Sequence, residues 1–211
     1  MAPNTTGRAI SCRLLGVGAM NSPRFRPAGV LVQQGDVHIM IDGGPGSAPS
    51  KRIDAWLVTD ARADLIRDIR MLAKHWRLYP CIAGFQAGGL LVEPKPVVHT
   101  SHPTYGYLIQ SDEVRIVWAP EFFAFPTWAR AAHLMFADAA SFSRPIRFAG
   151  GVGGHMAAID VSRAARRLRV DRLVFAHIGR PSIRAIDVGQ TPPYGEWGIE
   201  GATYPAPPRR R

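Results

Sequence analysis

Leu57-Val58-Thr59-Asp60-Ala61-Arg62-Ala63-Asp64-Leu65 joins a hydrophobic run to an amphipathic helical pattern. Ala55 to Thr59 reads as a buried strand. Over residues 63–78, Leu65, Ile66, Ile69, Leu72, Ala73 and Trp76 recur at i, i+3 and i+4 spacing, while Arg67, Asp68 and Arg70 fall on the other side. A strand that feeds directly into a helix brings alternating side chains of the connection onto one rim. Asp64 is expected in the first helical turn, where a carboxylate suits the helix dipole. Asp60, at the strand end, is placed to cap the same helix.

Upstream, residues 8–18 read as a strand ending in Gly16-Val17-Gly18, followed by a loop over 19–27. Val30-Leu31-Val32 and Val37-His38-Ile39-Met40-Ile41 flank a Gly35-Asp36 turn, which predicts a hairpin. Asp42 before Gly43-Gly44 reads as a turn residue. Downstream, the pattern predicts a strand over 79–85 and a second hairpin, 105–110 with 114–118, around Ser111-Asp112-Glu113. It then predicts a short helix over 126–132, a strand at 134–136, a helix over 157–169 and a buried strand at 173–176. Hairpins followed by strand–helix–strand, twice over, predict an α/β sandwich of two mixed sheets with helices outside.

The chain has 211 residues, 46% of them hydrophobic and 20% charged, which supplies a core and argues against disorder. Cys12 and Cys81, the two cysteines, lie in apolar runs, so reduced buried thiols and a cytoplasmic location are expected. No basic-then-apolar leader opens the sequence, and no apolar run approaches the roughly 20 residues of a membrane span. The formal net charge is +10, with 26 basic against 16 acidic residues, which favours anionic partners. Basic residues are dense from Arg163 to Arg172 and at Arg209 to Arg211, the latter read as a frayed tail. Nucleic acid is therefore a candidate partner, although no aromatic-interleaved basic motif accompanies the charge. No Gly-x-Ser-x-Gly elbow supports a serine nucleophile.

Five segments, in order, resemble the metallo-β-lactamase superfamily. They are Leu15-Gly16-Val17-Gly18-Ala19 with Ser22-Pro23-Arg24, Ile39-Met40-Ile41-Asp42-Gly43-Gly44-Pro45-Gly46, the stretch 57–65, Thr104-Tyr105-Gly106-Tyr107-Leu108-Ile109, and Gly154-His155-Met156 through to Leu173-Val174-Phe175-Ala176-His177-Ile178. The Gly-His pair and Leu134 to Phe142 resemble most the branch that holds RNase Z and the small cyclic phosphodiesterases. The resemblance implies a four-layer αββα sandwich in one domain over 1–211, its core at about 8–180 and a Pro/Gly-rich wrap over 181–211. It also implies hydrolysis of a phosphodiester or another ester-like bond if the chain is active, and a homodimer.

The superfamily's His-x-His-x-Asp-His motif would hold two metal ions that ionise a water between them. Its three histidine positions here read Asp60, Arg62 and Leu65; only Asp64 matches. Arginine cannot ligate and repels a cation, and leucine has no donor atom. The resemblance assigns the remaining ligands to Asp60, Asp64, one of His99 and His102, Glu121 and His177. It assigns the proton donor to His155, with Asp64 beside it as a catalytic candidate. Three readings stay open. The pocket holds no catalytic metal; or one divalent ion, zinc or manganese, remains; or Arg62 with Arg24 turns the vacated site into a pocket for a small anionic or phosphorylated ligand. The third is compatible with the first. The Gly150-Gly151-Val152-Gly153-Gly154 run reads as a flexible pocket edge, since it lacks the Gly-Lys-Ser/Thr of a nucleotide loop. His38, His75 and His133 read as surface or packing residues.

Overall fold

Alternation along the first strands decides which way the first sheet faces. In the computed structural model, which describes residues 9–111 and 114–206, β1 (Ile10–Gly16), β2 (Gly29–Gln34) and β3 (Val37–Asp42) turn every second side chain into the main core. Cys12, Leu14, Val30, Val32, Ile39 and Ile41 lie there, whereas Leu15, Leu31 and Met40 face the other way into a smaller cluster. This is the period-2 geometry of a pleated strand with two covered faces. β4 (Ala55–Leu57) pairs parallel with β3. α1 (Ile66–Ala73) then packs Ile66, Ile69 and Ala73 over Met40 and Trp56 on the outer face.

β5 (Phe85–Ala87), β6 (Leu90–Val97), β7 (Thr104–Gln110), β8 (Arg115–Ala119) and β9 (Leu134–Ala139) build most of the second sheet. A short pair follows, β10 (Ile146–Arg147) with β11 (Gly154–His155). α2 (Ala158–Arg167) buries Ala158, Val161 and Ala165. β12 (Leu173–Ile178), α3 (Arg180–Asp187), β13 (Glu196–Trp197) and β14 (Thr203–Ala206) complete the chain. The sheets run β14-β1-β2-β3-β4 and β13-β12-β9-β8-β7-β6-β5. Both mix parallel and antiparallel pairs, so the two-sheet sandwich expected from the sequence is the fold found.

Several local expectations are corrected. The first helix begins at Ile66, after two turns over 61–65, and a 3₁₀ turn at 74–76 ends it. Asp64 therefore precedes the helix, and no side chain caps it. The expected strand at 79–85 reduces to one bridge, Leu57 with Cys81, and to Phe85, where β5 begins. β6 went unread because Pro94 and Pro96 interrupt its pattern; they sit beyond the point where β5 stops, on a stretch paired only with β7. The short helix over 126–132 is a 3₁₀ turn at 127–129. The wrap over 181–211 contains α3 and two strands, one of which extends the first sheet. Asp112 and Glu113 of the second hairpin, and Arg209 to Arg211, lie outside the described residues. No helix among the described residues is long and apolar enough to cross a membrane.

Candidate functional site

Strand ends from both sheets converge on one rim, and the loops leaving them line a cleft of about 700 Å³. Asp42 stands at the end of β3 and His177 near the end of β12; both adopt positive φ, +56° in each case. For His177 this coincides with a bulge, since the register against β9 slips between Ala176 and Ile178. A bulge re-aims one side chain, and here it accompanies an imidazole that lines the cleft instead of following the strand's alternation.

Asp42 ties the two sheets together. Its carboxylate accepts from the Thr59 amide at 2.7 Å, from the Thr59 hydroxyl at 2.9 Å and from Trp118 Nε1, on β8, at 2.7 Å. Burial pushes its carboxyl up to about 7 against these three hydrogen bonds, which favour the charged form. The reading of Asp42 as a plain turn residue is thus corrected. It fixes where the 57–65 stretch leaves the first sheet, and Tyr107 helps by donating to the Val58 carbonyl at 3.0 Å.

Eight of the residues singled out from sequence line this cleft: Asp60, Arg62, Asp64, His99, His102, Glu121, His155 and His177. Arg24 does not. It pairs with Asp187 at 2.7 Å on the exposed surface. Arg180, at the start of α3, is a second arginine lining the cleft.

Asp60 is buried and fully engaged. Its Oδ1 accepts from the Arg62 amide at 2.7 Å, closing a turn in place of the expected helix cap. His102 Nε2 lies 3.0 Å from Oδ1 and 2.9 Å from Oδ2. Arg62 and Asp64 are exposed at the mouth. Leu65 presents carbon only, its Cδ1 3.2 Å from where a Cβ on Gly44 would sit.

The inner end is held differently. His155 Nδ1 donates to Asp138 on β9 at 2.8 Å, and that carboxylate also accepts from the amides of Phe122 and Ala140. Burial opposes a charge on His155, but the charge of Asp138, the bond to it and the charge of Glu121 together outweigh burial and raise its pKa. His99 Nδ1 donates to the Gly154 carbonyl at 2.9 Å, while the Gly154 amide donates back to His99 O. His99 Nε2 is thereby left facing Glu121, at 3.8 Å. His177 Nε2 lies 3.1 Å from the other oxygen of Glu121, and burial lowers its pKa. The ring of His155 meets that of His99 edge to face and stacks on that of His177, with centroids 4.7 and 5.4 Å apart.

Gly153 and Gly154 make this clasp possible. A Cβ at Gly153 would lie 2.0 Å from His99 O, and one at Gly154 1.9 Å from Ile146 O; both have positive φ. Within the glycine run, Gly153 and Gly154 serve a close backbone approach, whereas Gly150 and Gly151 have room around them. Asp138, with no other charged group in the strand Leu-Met-Phe-Ala-Asp-Ala, was missed from sequence although a carboxylate in a buried strand is itself a signal.

Asp60 is consumed by His102 and a backbone amide, Arg62 brings positive charge and Leu65 offers no lone pair. Among the described residues, no three His, Cys, Asp or Glu side chains are arranged to hold a metal ion.

Comparison with solved structures places the chain in the metallo-β-lactamase fold. It is similar to the metallo-β-lactamase fold protein YhfI from Bacillus subtilis, with a TM-score of 0.70 and 16% identity over 92% of this chain and 99% of that one. A diphosphatase from the PhnP family gives 0.69 and 18%, over 93% and 97%. The short form of human tRNase Z gives 0.65 and 13%, over 93% and 99%. No protein-family model matches the sequence, and no curated protein matches it.

Proposed function

We propose that the cleft binds a small anionic ligand and that the paired-metal centre of this fold is not built in this protein. One observation carries the reading: Asp60, at the first motif position, is held on both oxygens by His102. A carboxylate so engaged is a poor ligand, and its neighbours at 62 and 65 have none to offer. Arg62, Arg180 and a His155 whose pKa is raised supply positive charge to the same cleft. A phosphate or carboxylate group fits that charge, and the likeness to a diphosphatase and a tRNase supports a phosphorylated ligand.

A single divalent ion is the second reading. It is favoured by Nε2 of His99 and Nε2 of His177 both facing Glu121. As they stand the three do not form a metal-holding group; drawn closer together they would hold the ion, which would supply Lewis acidity to a bound ester. A nucleic acid is a further candidate partner on the strength of the +10 net charge.

Metal analysis of purified protein, before and after incubation with zinc or manganese, separates the first two readings. The expected result is substoichiometric metal, together with a melting temperature that rises with added phosphate and rises less in Arg62→Ala. One equivalent of metal, removed by His177→Ala, would replace the first reading with the second.

A further inference from the structure

The cleft is far larger than a bare anion needs. Its volume of about 700 Å³ lies within the range of sites for drug-sized ligands, roughly 300–1,000 Å³. Charge occupies only part of the lining. His99, Glu121, His155 and His177 form the inner end, and Arg62 and Arg180 belong to the lining as well.

The remainder is apolar. Met20, Leu65, Ile146, Phe148 and Pro181 line the same space. Met20 is 50% exposed and lies on the cleft wall, so its apolar surface is available to a ligand. Leu65 stands where the superfamily motif would place an imidazole, and it packs over Gly44 while keeping part of its surface in the cleft. Phe148 meets the rings of His99 and His155 edge-on, at 5.4 and 5.6 Å, so the apolar lining begins directly at the polar end.

Resting on the anion-binding reading above, we propose that the ligand is amphipathic: one anionic group joined to an apolar body of aryl or alkyl character. The anionic group lies at the arginines of the lining, Arg62 and Arg180. The body covers Leu65, Met20, Ile146 and Phe148, which explains why a motif position lost its imidazole to leucine and not to another polar residue. An apolar body gains affinity by leaving water, at about 0.8 kcal/mol per buried methylene.

The test compares inorganic phosphate with 1-naphthyl phosphate by calorimetric titration of the full chain. Naphthyl phosphate should bind at least about tenfold more tightly, which is about 1.4 kcal/mol. Leu65→Ser and the surface variant Met20→Ser should each lower the ratio of the two affinities, and Arg62→Ala should weaken both ligands together. Because Met20 is half exposed, its variant keeps the fold even if Leu65→Ser does not. Equal affinities for the two ligands would overturn the amphipathic assignment and leave the anion site standing. Binding of neither would overturn both. An unchanged ratio in Met20→Ser and Leu65→Ser would also overturn the assignment, by placing the naphthyl group elsewhere.

Discussion

His102 Nε2 lies within 3.0 Å of both carboxylate oxygens of Asp60, and Asp60 is buried. The pair crosses from the loop after β6 to the loop after β4, so it holds together two segments that meet at the cleft. Removing one partner leaves the other desolvated and alone. His102→Ala should therefore destabilise the protein by about 1–3 kcal/mol, and Asp60→Asn by less, because an amide still accepts from the Arg62 backbone and from a neutral imidazole. Denaturant unfolding of the two single variants and the double variant gives the coupling directly. A coupling near zero would mean that the pair is a surface contact without structural weight.

On the proposal that no paired-metal centre is built here, the same pair and its neighbours at 62 and 65 withhold the donors, and putting them back should restore metal binding. Restoring the motif by Asp60→His, Arg62→His and Leu65→His, with Asp64 already in place, removes the carboxylate that engages His102, removes a cation and adds three imidazoles. The triple variant should gain at least one equivalent of zinc that the parent does not retain, measured by elemental analysis after dialysis. If the triple variant binds no more metal than the parent, the loss of donors at 60, 62 and 65 is not what governs metal affinity here.

The sandwich was legible because its strands and helices carry clean periods. Ile39, Met40 and Ile41 alternate between two cores, and α2 shows its apolar stripe plainly. β6 was not legible, because Pro94 and Pro96 look like strand breakers until the absence of a partner on that side is known. The cleft was legible only where residues sit in a motif. Glu121 and His177 could be placed from their strands, but the partner of His155 could not: Asp138 is remote in sequence and meets it only once β9 and β11 are assembled. Arg24 was misplaced for the same reason. Nothing local announces that Asp187, at the far end of α3, neutralises it.

Asp42 should make stability fall as the pH rises. Burial, the largest influence, lifts its carboxyl from 3.8 to about 7 despite hydrogen bonds from Trp118 and Thr59. The folded state thus binds a proton that the unfolded chain has released. Its contribution is fully present below about pH 4 and is lost as the pH rises through 7, by at most roughly 4 kcal/mol. Asp42→Asn imitates the neutral form and keeps an oxygen for Trp118 Nε1. The variant and the parent should have similar unfolding free energies at pH 4, and the variant should be the more stable at pH 8. A parallel pH dependence for the two proteins would show that Asp42 titrates as an ordinary carboxylate.

On the anion-binding proposal, Asp138, by favouring the charged form of His155, also governs the pH range over which the cleft holds its ligand. Burial would keep the imidazole neutral; the adjoining carboxylate and its hydrogen bond overcome that and raise the pKa above 6.5. An anion in the cleft meets imidazolium at low pH and neutral imidazole once the pH passes the raised value, so phosphate affinity should decline across that window. Asp138→Asn removes the charge and keeps one oxygen, which can go on accepting from His155 and the Phe122 amide while its NH2 faces the Ala140 amide, so thermal unfolding of the variant is measured alongside. In that variant burial acts unopposed by its main counterweight, and the decline should move to lower pH with affinity at neutral pH reduced severalfold. Imidazole proton titration by NMR reads the His155 pKa, and calorimetry at pH 6 and 8 reads phosphate affinity. A displaced His155 titration with no change in the pH profile of binding would remove this imidazole from the anion site, leaving the attraction to Arg62 and Arg180 alone.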